Sequence, residues 1–528
     1  MAGKTDTHID LAQAIVTASP APADYLVVAP LVIGFLFGAL CLMTRKNTDR
    51  QPYVALSGLV LMLAADAGLF WHVWAGGTVV MTMGRWLPPF GITFAADMLG
   101  ATFALTAGIV GLAGGIYALQ DVGRTGRRYG FYPFLLLMMA GVTAAFLTGD
   151  IFNLYVWFEV LLIGSFGLLI LGSEREQLDG ATKYAFLNLV ATTLFLLAVA
   201  YLYGTFGTLN MADISRKAAA MRETGPLFTI AAMFLFAFAM KAAAFPVNFW
   251  LPASYHTPRI VVSALFAGLL TKVGVYALLR IFLILFDVER DALAGTIAIV
   301  AALTMVLGAM GALAQSDIRR MLGYLVISGI GMMLAGLALG SVTGLSGAVF
   351  YAVHSMVVMT ALYFLAGMMG ARMEGFSLTT AGGLYSRAPW LAAVALALFL
   401  SVSGLPPFSG LWAKVYLVKA SLDVGAWWLA FCILLTGLLT TIAVGRTFAF
   451  SFWREVAPRE AADGSPPAGA RSVVAAALFA LTLLTVAVGL YPEPLVRVSD
   501  RIAGELLTPA GYVDSVFPPD RPAREVGQ

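Results

Sequence analysis

Charge is what this sequence has least of. Only 12% of its 528 residues are Asp, Glu, Lys or Arg, against 60% hydrophobic, and the mean hydropathy is +0.87. A soluble enzyme of this length would need far more polar surface, so the composition is that of a polytopic membrane protein. Cysteine is almost missing too. Cys41 and Cys432 each lie inside an apolar segment without metal-ligand spacing, which excludes a disulfide framework and a zinc site. There is no Walker motif, dinucleotide fingerprint, cysteine cluster or haem-ligand pattern, so no cofactor is expected and the chain has no visible power source. The net charge of +3 is small and the basic residues sit in short loops, which argues against nucleic acid as a partner. The first 24 residues lack a basic stretch followed by an apolar one, so no cleavable signal peptide is expected.

Long apolar runs are abundant. At roughly 20 apolar residues per crossing, membrane helices are predicted at 26–44, 53–75, 98–120, 131–148, 151–172, 182–204, 227–244, 260–286, 292–314, 321–340, 345–370, 390–420, 425–449 and 472–491. The expected fold is therefore an all-α polytopic bundle of about fourteen transmembrane helices, counted on that basis. Loops after odd-numbered helices hold seventeen Lys and Arg residues and the other internal loops five. By the positive-inside rule the first set faces the cytoplasm and both termini lie outside. Residues 76–97 alternate β-branched and polar residues around Pro88-Pro89 and predict a hairpin. The stretch from Met211 to Thr224 is amphipathic and is expected along the outer surface. Residues 455–471 form a polar linker, and the tail after Pro494 is too polar to span.

The costliest stretch is Phe238 to Arg280, which places Lys241, Lys272 and the prolines Pro246, Pro252 and Pro258 in apolar sequence. A charge at the centre of a membrane helix costs roughly 2.5 to 3.5 kcal/mol and marks an ion or proton pathway by default. A broken helix at that depth is tolerated only inside protein or beside a watery cavity. A similar break recurs in SGLPPFSGLWAK at Pro406 and Pro407. Five helices separate the two features, so if the breaks are equivalent, the second copy is inverted relative to the first.

Other ionisable residues within apolar segments are Asp66, His72, Glu159, His354, Lys414 and Lys419. Glu159 lies nine residues after Asp150, or about 13 Å into its helix. A lone buried carboxylate would protonate, and Lys241 is its best-placed ion-pair partner by depth. Asp66 and His72 read as packing or subunit-contact residues. Burial disfavours a charged ammonium and a nearby carboxylate restores it, so a row of Lys241, Lys272, His354 and Lys414, with water and hydroxyls between, could pass protons laterally. No carboxylate cluster resembles a dehydrated sodium site.

VWFE at Glu159, AMKAAAFPVNFWLP at Lys241, SALFAGLLTKVGVYALLR at Lys272, His354 in the eleventh helix and SGLPPFSGLWAK at Lys414 together resemble the antiporter-like proton-translocating subunits shared by respiratory complex I and the Mrp-type multisubunit cation/proton antiporters. MGRWLPPFGITFAADMLGA and FAGLLTKVGVYALLR look most like the Mrp branch. The resemblance implies two inverted five-helix repeats with helices 7 and 12 broken. It divides the chain into 1–130 (helices 1–3 with the hairpin), 131–286 and 287–450 (the repeats) and 451–528 (linker, last helix and tail). It implies a relay of Glu159 as modulating carboxylate, Lys241 as its paired lysine, Lys272 as central relay, His354 as bridge and Lys414 as terminal lysine. The partners would be other membrane subunits, protons, sodium or potassium, and the lipid bilayer of a bacterial inner membrane. A redox-driven membrane arm, of complex I or hydrogenase type, is the alternative. Met359 stands where many relatives carry a lysine, which would leave the link from His354 to Lys414 to water alone. His256 and Arg259 are unusual for their loop, which is expected to be solvated.

Overall fold

The computed structural model describes residues 21–222, 225–373, 375–455 and 468–518. The predicted linker therefore lies mostly outside the described residues. Two antiparallel helices, α1 (Ala29–Met43) and α2 (Gln51–Gly76), lead into a hairpin of β1 (Val79–Thr82) and β2 (Thr93–Ala96), with Val79 opposite Ala96 and Thr82 opposite Thr93. Then come α3 (Met98–Asp121) and the single turn α4 (Arg124–Arg128). Asp97 caps α3 by accepting from the Gly100 amide, the ordinary role of an aspartate at that position.

The next group is α5 (Phe131–Leu147), α6 (Ile151–Leu169), α7 (Arg175–Phe206), the amphipathic α8 (Met211–Met221), α9 (Leu227–Ala242), the short α10 (Trp250–Ser254), and α11 (Ile260–Leu265) continuing through a wide π-turn, Phe266–Leu270, into α12 (Thr271–Ile284). A second group follows: α13 (Asp287–Ala314), α14 (Ile318–Leu339), α15 (Val342–Met373), the turn α16 (Leu384–Arg387), α17 (Pro389–Ser403), α18 (Ser409–Asp423) and α19 (Trp427–Phe448). The chain closes with α20 (Ala468–Leu490), α21 (Glu493–Leu507) and α22 (Ala510–Val516). Among the described residues ten helices are long and apolar enough to cross a membrane, and four shorter ones are apolar.

Several details recur between the two groups. Asp150 caps α6 and pairs with Asn210 in an isolated bridge, and Asp317 caps α14 and pairs likewise with Ser377. Each bridge ties the start of one helix to the chain leaving the next. The two breaks also end alike. At the close of α9 the amides of Ala243 and Ala244 donate to the carbonyls of Met240 and Ala239; at the close of α17 those of Gly404 and Leu405 donate to Ser401 and Leu400. Both are the crossed pair of bonds that satisfies a helix C-terminus through a left-handed residue. That residue is Ala243 (φ 62°) in one and Gly404 (φ 78°) in the other.

The core is continuous, and α11, α12, α14 and α15 are almost wholly buried. By contrast α2, α7, α13, α19 and α20 are less than half buried, which is how helices bordering lipid look. The hairpin and α8 form where predicted. Neither α21 nor α22 is among the helices long and apolar enough to cross a membrane, and the tail folds onto the bundle: α21 packs along α15, and α22 reaches α8 and β1.

Candidate functional site

The breaks place the ionisable side chains. Lys241 sits in the last turn of α9 and is buried; its Nζ donates to Thr192 Oγ1 of α7 at 2.7 Å and lies 5.5 Å from the centroid of the Phe158 ring. Glu159, on the same helix as Phe158, is near enough for its charge to act on Lys241. The expected ion pair is nonetheless not closed within 4.0 Å among the described residues, and Glu159 Oε1 is buried with no partner. Thr192 takes the contact the carboxylate was expected to make, a neutral acceptor in place of a charge.

Lys272 follows the π-turn and is fully buried, with its Nζ donating at 2.5 Å to the carbonyl of Ala267 inside that turn. A π-turn leaves carbonyls poorly satisfied, and the ammonium uses one. The segment carrying Lys272 meets the end of α9 at Gly274, where an added Cβ would lie 2.8 Å from the Ala242 amide nitrogen. Only glycine permits that approach.

His354 is buried on α15. Its Nδ1 is 2.8 Å from Ser409 Oγ, which is 3.1 Å from Ser401 Oγ across the second break. Gly410 lets the chain pass between, since a Cβ there would sit 2.0 Å from the Ser401 carbonyl and 3.1 Å from His354 Nε2. The ring lies within electrostatic reach of both Lys272 and Lys414. Lys414, buried on α18, turns its ammonium onto the end of α17, donating to the carbonyls of Ser403 and, at 3.4 Å, Val402. These are C-terminal carbonyls, the negative end of the helix dipole.

All five predicted ionisable residues are thus on buried or half-buried helix surface, and Pro246, Pro406 and Pro407 lie in the breaks. The remaining candidates separate. Lys419 pairs on the surface with Asp423 at 2.7 Å. Asp66 is fully buried between α2 and α3 with both carboxylate oxygens unpartnered, and His72 is half-buried. Cys41 and Cys432 are free thiols. Met359 is buried. His256 is half-buried at the edge of a cavity of about 950 Å³ that it lines with Arg320, Asp317, Glu176 and Asp179, and Arg259 is exposed. Its Nδ1 is 2.8 Å from the Pro252 carbonyl and its Nε2 is 3.0 Å from Arg320 Nη2. Burial, and next the Arg320 guanidinium, hold its imidazole below the ordinary value of 6.5.

Sequence reading expected hydroxyls between the charges but did not say which. Thr192, Ser401 and Ser409 carry no signal as isolated residues in apolar helices; only the two serines flanking the PP break hinted at a role. It also missed a buried ion pair: Arg280 donates to both carboxylate oxygens of Asp97, at 2.5 and 2.7 Å.

Residues 148–440 match the family described as NADH:quinone oxidoreductase/Mrp antiporter, TM. The match spans more than half the chain. The chain belongs to that family. Within the NADH:quinone oxidoreductase/Mrp antiporter family it is 37% identical over 492 residues to the D subunit of the Na(+)/H(+) antiporter of Alkalihalophilus pseudofirmus, covering 93% of this chain and 99% of that protein. Its fold matches a chain of the Mrp complex from Dietzia sp. with a TM-score of 0.86 and 28% identity, over 94% of this chain and all of that one. A chain of the archaeal membrane-bound sulfane sulfur reductase, a respiratory membrane complex, matches with a TM-score of 0.84 and 25% identity over 94% of this chain and 99% of that one.

Proposed function

We propose that this chain is the proton-translocating subunit of an Mrp-type multisubunit Na+(K+)/H+ antiporter, a secondary transport protein and not a catalytic enzyme. The similarity to the D subunit of an Na(+)/H(+) antiporter along nearly its whole length supports the assignment, and so does the likeness to a chain of an Mrp complex. It works beside other membrane subunits in the lipid bilayer, with the inner membrane as its site and both termini outside. The ten long and four shorter apolar helices are read as fourteen spans. The paired bridges and paired break geometries support two inverted repeats, 131–286 and 287–450, flanked by 1–130 and 451–528.

The observation that carries the mechanism is that Lys241, Lys272, His354 and Lys414 are buried, and three of them are bound to groups at a break or wide turn. Each ammonium is held by neutral oxygens, so it can give up its proton without leaving a buried carboxylate behind. Glu159 biases Lys241 from outside the hydrogen-bonded set. A proton passes from Lys241 to Lys272 and, through His354 and the serine hydroxyls, toward Lys414. No cofactor takes part in this scheme.

The test is sodium-dependent proton movement in everted vesicles carrying the assembled complex with Lys241→Ala or Glu159→Ala. Loss of exchange with assembly intact on a native gel supports the relay; full exchange with Lys241→Ala refutes it. The likeness to the sulfane sulfur reductase chain favours one second reading, a membrane arm driven by redox chemistry in a partner. That reading predicts proton movement coupled to electron donors and indifferent to sodium.

A further inference from the structure

Two turns beyond Lys272 on the same helix, Arg280 is completely buried and held by a closed set of bonds. Its guanidinium grips Asp97, and its Nε and Nη2 meet Tyr276 Oη at 3.2 and 2.8 Å. Tyr276 in turn donates to the Phe146 carbonyl at 2.6 Å. Residues 272, 276 and 280 follow at intervals of four and so share one helix face, a polar stripe climbing about 12 Å from Lys272 toward the hairpin. The hydroxyls of Thr271, the residue before Lys272, and of Thr143, one turn before Phe146 on α5, are buried without a partner. Buried hydroxyls left unsatisfied in this way are places where a water can be held.

The stripe ends under the C-terminal segment. The Tyr512 ring lies over the Arg280 guanidinium at 5.3 Å, and its hydroxyl is buried against Gly149 with no partner of its own. The segment is tied down on both sides. Arg501 of α21 donates to the Trp74 and Val73 carbonyls at 2.7 and 3.2 Å, capping α2, and Arg216 of α8 stands 5.0 Å over the Phe517 ring.

We propose that Tyr512, seated on the Arg280–Asp97 pair, seals the hairpin-side end of the polar interior around Lys272, so that a proton on Lys272 leaves only toward His354. The proposal rests on the relay reading above. A lateral relay transmits nothing useful if its centre also opens directly to one surface, and the stripe from Lys272 to Arg280 is the route by which it would. The aromatic lid supplies a dry cover over the closed Arg280–Asp97 pair.

The experiment reconstitutes the assembled complex in liposomes and follows proton flux down an imposed pH gradient without sodium. Tyr512→Ala is expected to raise this leak at least fivefold, and adding Lys272→Ala should return it to the wild-type rate. Should Tyr512→Ala fail to assemble, Tyr512→Leu, which keeps apolar bulk but not the ring, is read by the same criteria. A second measurement uses Thr143→Cys and a membrane-impermeant thiol reagent, which should label only when Tyr512 is replaced. An assembled, tight variant without labelling overturns the seal, as does a leak that persists with Lys272→Ala. The relay reading fails separately, by sodium-driven exchange that survives Lys272→Ala in the presence of Tyr512.

Discussion

Lys414, in the helix after the second break, donates to the main-chain carbonyl of Ser403, the last residue of the helix before it. The charge that ends the proposed relay is therefore also the cap of the broken helix. Replacing it with methionine is expected to lower sodium-driven proton exchange at least tenfold, the scale set by a lost proton-transfer group. Gly404→Ala should damage the same contact from the other side. It forces a left-handed alanine at φ 78° and brings a Cβ within 2.6 Å of Lys414 Cδ, costing about 1 to 3 kcal/mol. Exchange assays and thermal melting in detergent separate the two effects.

Ser409 is the hydroxyl between His354 and Ser401. Ser409→Ala is expected to cut exchange about tenfold, one lost link in a proton chain, with assembly unchanged, whereas Ser409→Thr retains most of it. Equal activity in all three would show that the hydroxyl carries no proton.

Asp97 matters to folding more than to transport. Asp97→Ala leaves Arg280 buried without its counter-charge, and loss of one partner of such a pair costs about 3 to 5 kcal/mol. A large drop in melting temperature is expected. The double change Asp97→Leu with Arg280→Met should recover most of it, because a buried pair replaced as a whole is often close to neutral.

His256 makes the cavity at the opposite face sensitive to acid. Its Nε2 faces the Arg320 guanidinium and its Nδ1 the Pro252 carbonyl, an arrangement only the neutral ring satisfies. Arg319 and Asp317 stand near as well. Because the folded value lies below 6.5, the contact is fully present above that pH and is lost as pH falls through the lower one. Exchange measured against the pH of the cavity side should change below about 6.5, and His256→Gln should flatten the profile. An unaltered profile would show that the His256–Arg320 contact has no part in exchange.

Helix positions were readable from the sequence because apolar length is a strong signal, and the predicted boundaries of the α3, α5 and α9 helices fall within a few residues of those observed. Lys241, Lys272 and His354 stood out because a polar group in apolar sequence is costly wherever it points. What could not be read was direction. Whether Lys241 meets Glu159 or Thr192 depends on rotamers and helix packing that periodicity does not encode. Arg280 was overlooked because it sits near a helix end, where an arginine ordinarily reaches water. Asp97, 183 residues away, gave no hint of their pairing. The folded tail was missed because α21 is polar on one face only, and a spanning test asks for apolar residues all round.

The π-turn at Phe266–Leu270 has a last consequence. One additional residue in a turn rotates everything downstream by about 100° relative to a regular helix. Removing a single residue there would yield a smoother, more regular helix whose composition and hydropathy were almost unchanged. It would also swing Lys272, Tyr276 and Arg280 together away from their present neighbours. The aim of three polar side chains is thus stored in one apolar irregularity, and it depends on the length of that segment more than on its chemistry.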